Sequence, residues 1–383
     1  MYVRQLSWQD RVGWRGGDFN PGRADIALYF GTRQALANGS RYGELRAMFP
    51  GAHIVGCSTG GQILGNEISD DRIAAMAVCF SATKVRLAGQ AVAGSGQSRA
   101  CGEAIGRALA ADDLAGIFVL SDGLNVNGSE LVAGITRFVG KAIPVTGGLA
   151  GDGADFKESV VGADGPPQSH LVAAIGFFGS AVRFGHGSAG GWDIFGPPRR
   201  ITRSSGNILF ELDGRPALDL YERYLGEEDA RGLPGTALLF PLQVRDPAKP
   251  DHEIVRTVLA VDRETRSMTF AGDVPEGWHA QLMRGNFDHL AAGAAEAARQ
   301  ARAGLNGGAG GNGIAVLVSC IGRRLLMGQR TTDEVEAAAA ELGAQMSRIG
   351  FYSYGEISPH AASGICELHN QTMTVTTIAE AIG

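Results

Sequence analysis

Apolar positions along this chain come in short unbroken runs, separated by amphipathic stretches and by glycine-rich corners. Ala27-Leu28-Tyr29-Phe30, Ile117-Phe118-Val119 and Ala315-Val316-Leu317-Val318 have the length and side-chain character of strands buried on both faces. After each of the first two comes a loop tripeptide, Asn38-Gly39-Ser40 and Asn127-Gly128-Ser129. Apolar residues three and four apart follow: Tyr42, Leu45 and Phe49, then Leu131, Ile135 and Phe138. That spacing predicts helices with one face on a sheet, with Ser40 and Ser129 placed as N-caps. Each helix leads to a strand that ends in a glycine corner, Ile54-Val55-Gly56-Cys57-Ser58-Thr59-Gly60 and Val145-Thr146-Gly147-Gly148-Leu149-Ala150-Gly151. The closing strands share Phe80 with Phe177, Val85 with Val182 and Arg86 with Arg183.

The pattern is therefore a repeat, 27–90 and 117–187, and a third stretch from Ile314 to Ile378 keeps its element order. In the third copy the helix is expected from about Thr332 to Met346. The strand Gly350 to Ile357 follows, and His369 to Val375 closes the copy. The expected fold class is α/β: mixed sheets flanked by helices, built from duplicated strand-helix-strand-strand modules. Strand pattern gives way to proline at Phe195-Gly196-Pro197-Pro198. This predicts an N-terminal domain over 1–196 and a ligand-sensing domain over 197–383, with a strand near Asn207–Leu212 and a helix from Ala217 to about Leu225. The glycine-rich stretch from Gly304 to Gly313 reads as a flexible connection after an Ala-rich helix.

Composition narrows the function classes. The chain has 383 residues, 44% hydrophobic and 19% charged, with a net charge of −6. Without basic runs it lacks the clustered Lys and Arg that a nucleic-acid surface needs. No stretch supplies the roughly 20 continuous apolar residues of a membrane helix. The first 17 residues lack the apolar region of a signal peptide. Five cysteines with no CxxC pair suit reduced thiols in the cytoplasm.

Motifs for catalysis are weak. Gly56-Cys57-Ser58-Thr59-Gly60 fits the nucleophile-elbow pattern, which requires a helix directly after the serine. Residues 62–71 instead carry Gly65 and Asn66 and run toward another strand. The glycines of 147–153 lack the Lys and the spacing of a phosphate loop. Of eight histidines (His53, His170, His186, His252, His279, His289, His360, His369), none are paired as a zinc motif. A haem iron needs only one axial His. His369 opens the last strand beside Asn370, and His186 sits among glycines that could let a flat ligand approach.

Several segments resemble the FIST family of bacterial sensory domains. Ile54 to Ile63 is similar to its N-terminal part, and Phe351 to Ile357 with Leu368 to Thr374 is similar to its C-terminal part. Glu211 to Leu218 and Phe270 to Gly277 also resemble FIST segments. The resemblance implies a non-enzymatic small-molecule sensor in signal transduction, for which amino-acid-like ligands were proposed. One stand-alone branch of the family binds haem, senses nitric oxide and acts on a histidine kinase or a cyclic-di-GMP enzyme.

The leading expectation is thus a cytoplasmic sensor holding haem through His369 or else His186, able to form a homo-oligomer. Its rival is a sensor of an amino-acid-like metabolite. There the pocket is expected from Cys57, Ser58, Thr59, Tyr354, Glu356, His369 and Asn370, the polar first and third corners of the repeat. A serine hydrolase using Ser58 is the third reading.

Overall fold

The computed structural model describes residues 1–16, 23–249, 253–305, 313–360 and 363–381. His252 and most of the Gly304–Gly313 stretch lie outside the described residues.

All three repeats are present, and each has the same plan. A lead strand (Ile26–Gly31, Leu114–Ser121, Gly313–Cys320) is followed by a helix (Ser40–Met48, Gly128–Val139, Thr331–Leu342). A second strand (His53–Ser58, Val145–Leu149, Met346–Ser353) pairs in parallel with the lead strand. A return strand (Arg72–Cys79, Leu171–Phe178, Met373–Glu380) pairs antiparallel on its other side. Fully apolar lead strands fit this central position, since both of their faces are buried. The third copy, least alike in residues, is as faithful as the others in pairing.

The modules are woven together. The short strand after each corner leaves its own sheet and joins a neighbour's. Gln62–Leu64 pairs with Met346–Ser353, Val161–Ala163 with His53–Ser58, and Gly355–Pro359 with Val145–Leu149. The strands after the first two returns, Lys84–Ala91 and Val182–Ala189, cover the returns of the next modules. Tyr2–Gln9 takes the corresponding place on the first return strand. The three sheets thus stand in a pseudo-threefold relation that interlocks distant parts of the chain.

A fourth sheet of eight strands is built from Trp192–Ser205 through His279–Gly285, with the helix Ala217–Arg231. The proline-rich stretch expected as a boundary lies inside the strand Trp192–Ser205, at a break in register between Phe195 and Arg199. Residues 313–380 pair with the N-terminal modules, so strand pairing does not divide the chain at 196.

Several local details differ from expectation. The helix caps are Gly39 and Asn127 instead of Ser40 and Ser129, and the Asn127 side chain accepts from the Glu130 amide. The third-module helix ends at Leu342, and the helix from Ala217 runs on past a non-helical Gly226.

Candidate functional site

The corners of the three modules meet one another. The Gly60 amide donates to the Tyr352 carbonyl (2.8 Å), Gly151 to Ser58 (2.9 Å) and Tyr354 to Leu149 (3.1 Å). The three bonds form a ring of equivalent positions. Ser58 Oγ accepts from the Val160 amide at 2.9 Å and is fully buried, with strands and no helix following it. That is not the geometry of a nucleophile elbow. Thr59 is buried and donates to the Gly31 carbonyl, and burial pushes the Cys57 thiol well above its usual range. Tyr354 hydrogen-bonds to Asp152 and stacks on Phe156 at 4.5 Å between centroids.

Glu356 and His369 are directly opposite across a strand pair. The buried Glu356 carboxyl group accepts from Ser353 Oγ (2.6 Å), Thr372 Oγ1 (2.9 Å) and the Thr372 amide (3.2 Å). Desolvation pushes its pKa up to about 8 in spite of those donors. His369 Nε2 lies 2.9 Å from the Ser358 carbonyl, which can only accept. The proton is therefore on Nε2, and Nδ1 carries the lone pair. Burial lowers the His369 pKa to about 4, so the ring is neutral at neutral pH. Asn370 is fully buried, and neither amide atom finds a partner among the described residues.

His369 opens onto a cleft of about 470 Å³ between the woven body and the eight-stranded sheet. One wall is Ser188 to Gly191 with His360, His369 and Thr372. The other is Trp192, Ile194, Gln243, Glu253, Ile254, Val255 and Met283. Of the seven residues expected to bind ligand, only His369 lines this cleft. Glu356 lies one layer behind, bonded to Thr372. Cys57, Ser58, Thr59 and Tyr354 belong to the interlocked centre, and Asn370 is buried in the turn beside His369.

His186 is also elsewhere, on the strand Val182–Ala189 opposite Thr376. Its flanking glycines do not admit a flat ligand. A Cβ at Gly185 would run into the Ala301 carbonyl, and one at Gly187 into that of Ala297, so this space belongs to the helix Phe287–Ala303. The glycines serve helix-on-sheet packing.

Beneath the cleft lies a buried ion pair with no sequence signal. Arg323 Nη2 and Glu334 Oε2 are 2.8 Å apart and both side chains are fully buried. Arg323 also donates to the carbonyls of Gly190, Leu290 (2.8 Å) and Gln371 (3.4 Å). Trp192 Nε1 donates to the same Gln371 carbonyl at 2.7 Å. Gln371 holds a positive φ of 62°, a strained backbone for a non-glycine. The cleft floor is thus pinned at Gly190 and Gln371 by one guanidinium. Eleven residues separate Arg323 from Glu334, a spacing that suggests no contact on a single helix.

Fold and cleft together define a mixed α/β module with a ligand-sized opening between two bodies. Residues 25–215 match the FIST N domain and residues 217–359 the FIST C domain, and the chain belongs to the FIST family. FIST domains are associated with small-ligand sensing in signal transduction. Comparison with curated proteins gives no match. Among solved structures, a similar chain is described as a crystal structure of chorismatase at 1.08 Å resolution. It is 9% identical with a TM-score of 0.36, over 100% of this chain and 98% of that one. A likeness that distant carries no argument about activity.

Proposed function

We propose that this protein is a non-catalytic sensor whose small ligand occupies the cleft between the woven body and the eight-stranded sheet. The carrying observation is that the cleft takes its walls from both bodies. A ligand held there contacts each body, so it stabilises one relative arrangement over another. Only such a differential contact shifts a conformational equilibrium. A partner protein, a histidine kinase or a cyclic-di-GMP enzyme, then reads the favoured arrangement. A reducing cytoplasmic setting suits the five free thiols, all of them buried. No helix among the described residues is long and apolar enough to cross a membrane.

Small metabolites are to be screened by thermal shift and by the fluorescence of Trp192. A ligand of the cleft raises the melting temperature, and its affinity falls at least tenfold in Thr372→Val or His369→Ala. A ligand bound equally well by both variants sinks the placement.

A second reading has its own observation. His369 donates through Nε2 to a carbonyl, the arrangement usual for a metal-bound imidazole, and its Nδ1 lone pair would be the atom to hold an iron. His369 would hold a haem there, with Trp192, Ile254 and Met283 as the apolar wall; the iron would supply a binding place for nitric oxide. The fit is limited by the polar remainder of the lining, Glu253, Gln243 and Thr372. Haem reconstitution distinguishes the readings: a Soret band that shifts with nitric oxide and vanishes in His369→Ala supports haem, and its absence removes it.

A further inference from the structure

The polar side chains of this cleft spend their protons inward. Trp192 Nε1 donates to the Gln371 carbonyl, and His369 Nε2 to the Ser358 carbonyl. Thr372 Oγ1 donates to the Glu356 carboxylate. Gln243 gives one amide proton to Glu253 Oε2 at 2.9 Å. What these lining residues keep beyond those bonds is acceptor capacity: the His369 Nδ1 lone pair, the Gln243 carbonyl, the Thr372 oxygen and the Glu253 carboxylate. His360 Nε2 lies 3.0 Å from the Glu253 carbonyl and spends its proton there as well. Among the other described side chains of the lining, the donors that remain are the Ser188 hydroxyl and the second Gln243 N–H.

Charge points the same way. Glu253 is the one acidic residue of the described lining, and neither Lys nor Arg lines the cleft. Arg245 is opposite Glu253 in the strand pairing but is not part of the lining, and no ion pair joins the two among the described residues. A ligand carboxylate or phosphate would therefore enter an acceptor-rich space beside an acidic residue, with no Lys or Arg of the described lining to meet it, at the desolvation cost of a poorly paired charge. An ammonium or amidinium group meets several acceptors at once, and charge-assisted bonds to a carboxylate are the stronger kind. The remaining walls, Trp192, Ile254, Val255 and Met283, suit an apolar body.

We infer that the ligand of this cleft is a protonated amine or amidine carried on an apolar or aromatic body, and lacking a carboxylate. The inference rests on the cleft being the sensory site and narrows what that site accepts. It departs from the amino-acid-like ligand that the family resemblance implies, because a zwitterion brings a carboxylate for which the described lining has no Lys or Arg.

Three probes of one shape test it on the full chain by titration calorimetry: phenethylamine, phenylalanine and phenylacetate. The expected order is phenethylamine bound, phenylalanine at least tenfold weaker, and phenylacetate weakest. Glu253→Gln, an exposed change that spares the core, lowers the amine affinity about tenfold and narrows its advantage over phenylalanine. Phenylalanine or phenylacetate binding as tightly as the amine overturns the inference, as does an amine that fails to bind or that ignores Glu253→Gln. The two levels of failure are separable through Thr372→Val. If this variant weakens phenylalanine or phenylacetate binding, the cleft is the site and only the ligand class is wrong. If it leaves the binding of every probe unchanged, the cleft itself is not the site.

Discussion

The interlocked corners and the edge cleft are built from neighbouring stretches of one chain, yet their chemistry is opposite. At the centre, Ser58, Leu149 and Tyr352 accept in turn from Gly151, Tyr354 and Gly60, and each module supplies an equivalent bond. Symmetry there leaves polar groups satisfied by one another. At the edge, Trp192, Gln243 and Glu253 come from the eight-stranded sheet, which has no counterpart in the modules, and stand across from His369 and Thr372 of the third module. These residues line a cavity. Repetition built the scaffold, and the departure from repetition left an opening. The shared element order interlocks the centre; the inserted sheet supplies one wall of the cleft.

The largest effect is expected where the two regions are tied together. Arg323→Met leaves Glu334 charged and buried without its partner, which costs about 3–5 kcal/mol by chemical denaturation. The double change with Glu334→Leu is expected to recover most of that loss, because no orphan charge remains. A single variant that loses under about 1 kcal/mol, where a broken buried pair should cost several, would show that the cleft floor is not held by this pair.

Ser58→Ala comes next. It strips the Val160 amide of its acceptor in a dry interior, for a loss of about 1–3 kcal/mol. Ligand response at the cleft should be unchanged. Loss of that response without loss of stability would return the corner to the site and break the comparison.

The smallest effect is a pH slope. Glu356 is raised to about 8 and so keeps a proton in the folded state that the unfolded chain releases. Its contribution is fully present below the ordinary carboxyl value and is lost as pH rises through 8. His369, lowered to about 4, acts oppositely: its contribution is present above about 6.5 and lost as pH falls through 4. Between about pH 6.5 and 8 only Glu356 of this pair acts. Melting temperature should therefore decline over that window, and Glu356→Gln should flatten the decline. An equal slope in the variant would mean that the carboxyl behind Thr372 is ionised throughout.

Pattern reading found the modules because buried central strands must be continuously apolar and their helices must repeat at three and four. The runs around Leu28, Phe118 and Leu317 therefore marked lead strands without any knowledge of the fold. The same reading expected ligand chemistry at Cys57, Ser58, Thr59 and Tyr354, which the structure buries among the interlocked corners. Polar residues at glycine corners look alike whether they face a pocket or each other. His369 was singled out as opening the last strand, which begins at Met373, whereas it ends the strand Cys366–His369. Its tautomer and its neighbour Thr372's bond to Glu356 needed coordinates. His186 misled for a similar reason, since glycines that admit a ligand and glycines that admit a helix are spelled identically.

By itself, the sequence determined the α/β class, the threefold repetition and the glycine corners, because these follow from local periodicity and backbone freedom. Tertiary structure alone decided that the exchanged strands interlock the corners, that Arg323 and Glu334 meet, and that Glu253 and His369 share a cleft. Those facts depend on pairings between residues from eleven to hundreds of positions apart. Such pairings are selected by burial and hydrogen-bond satisfaction over the whole chain, and no local pattern encodes them.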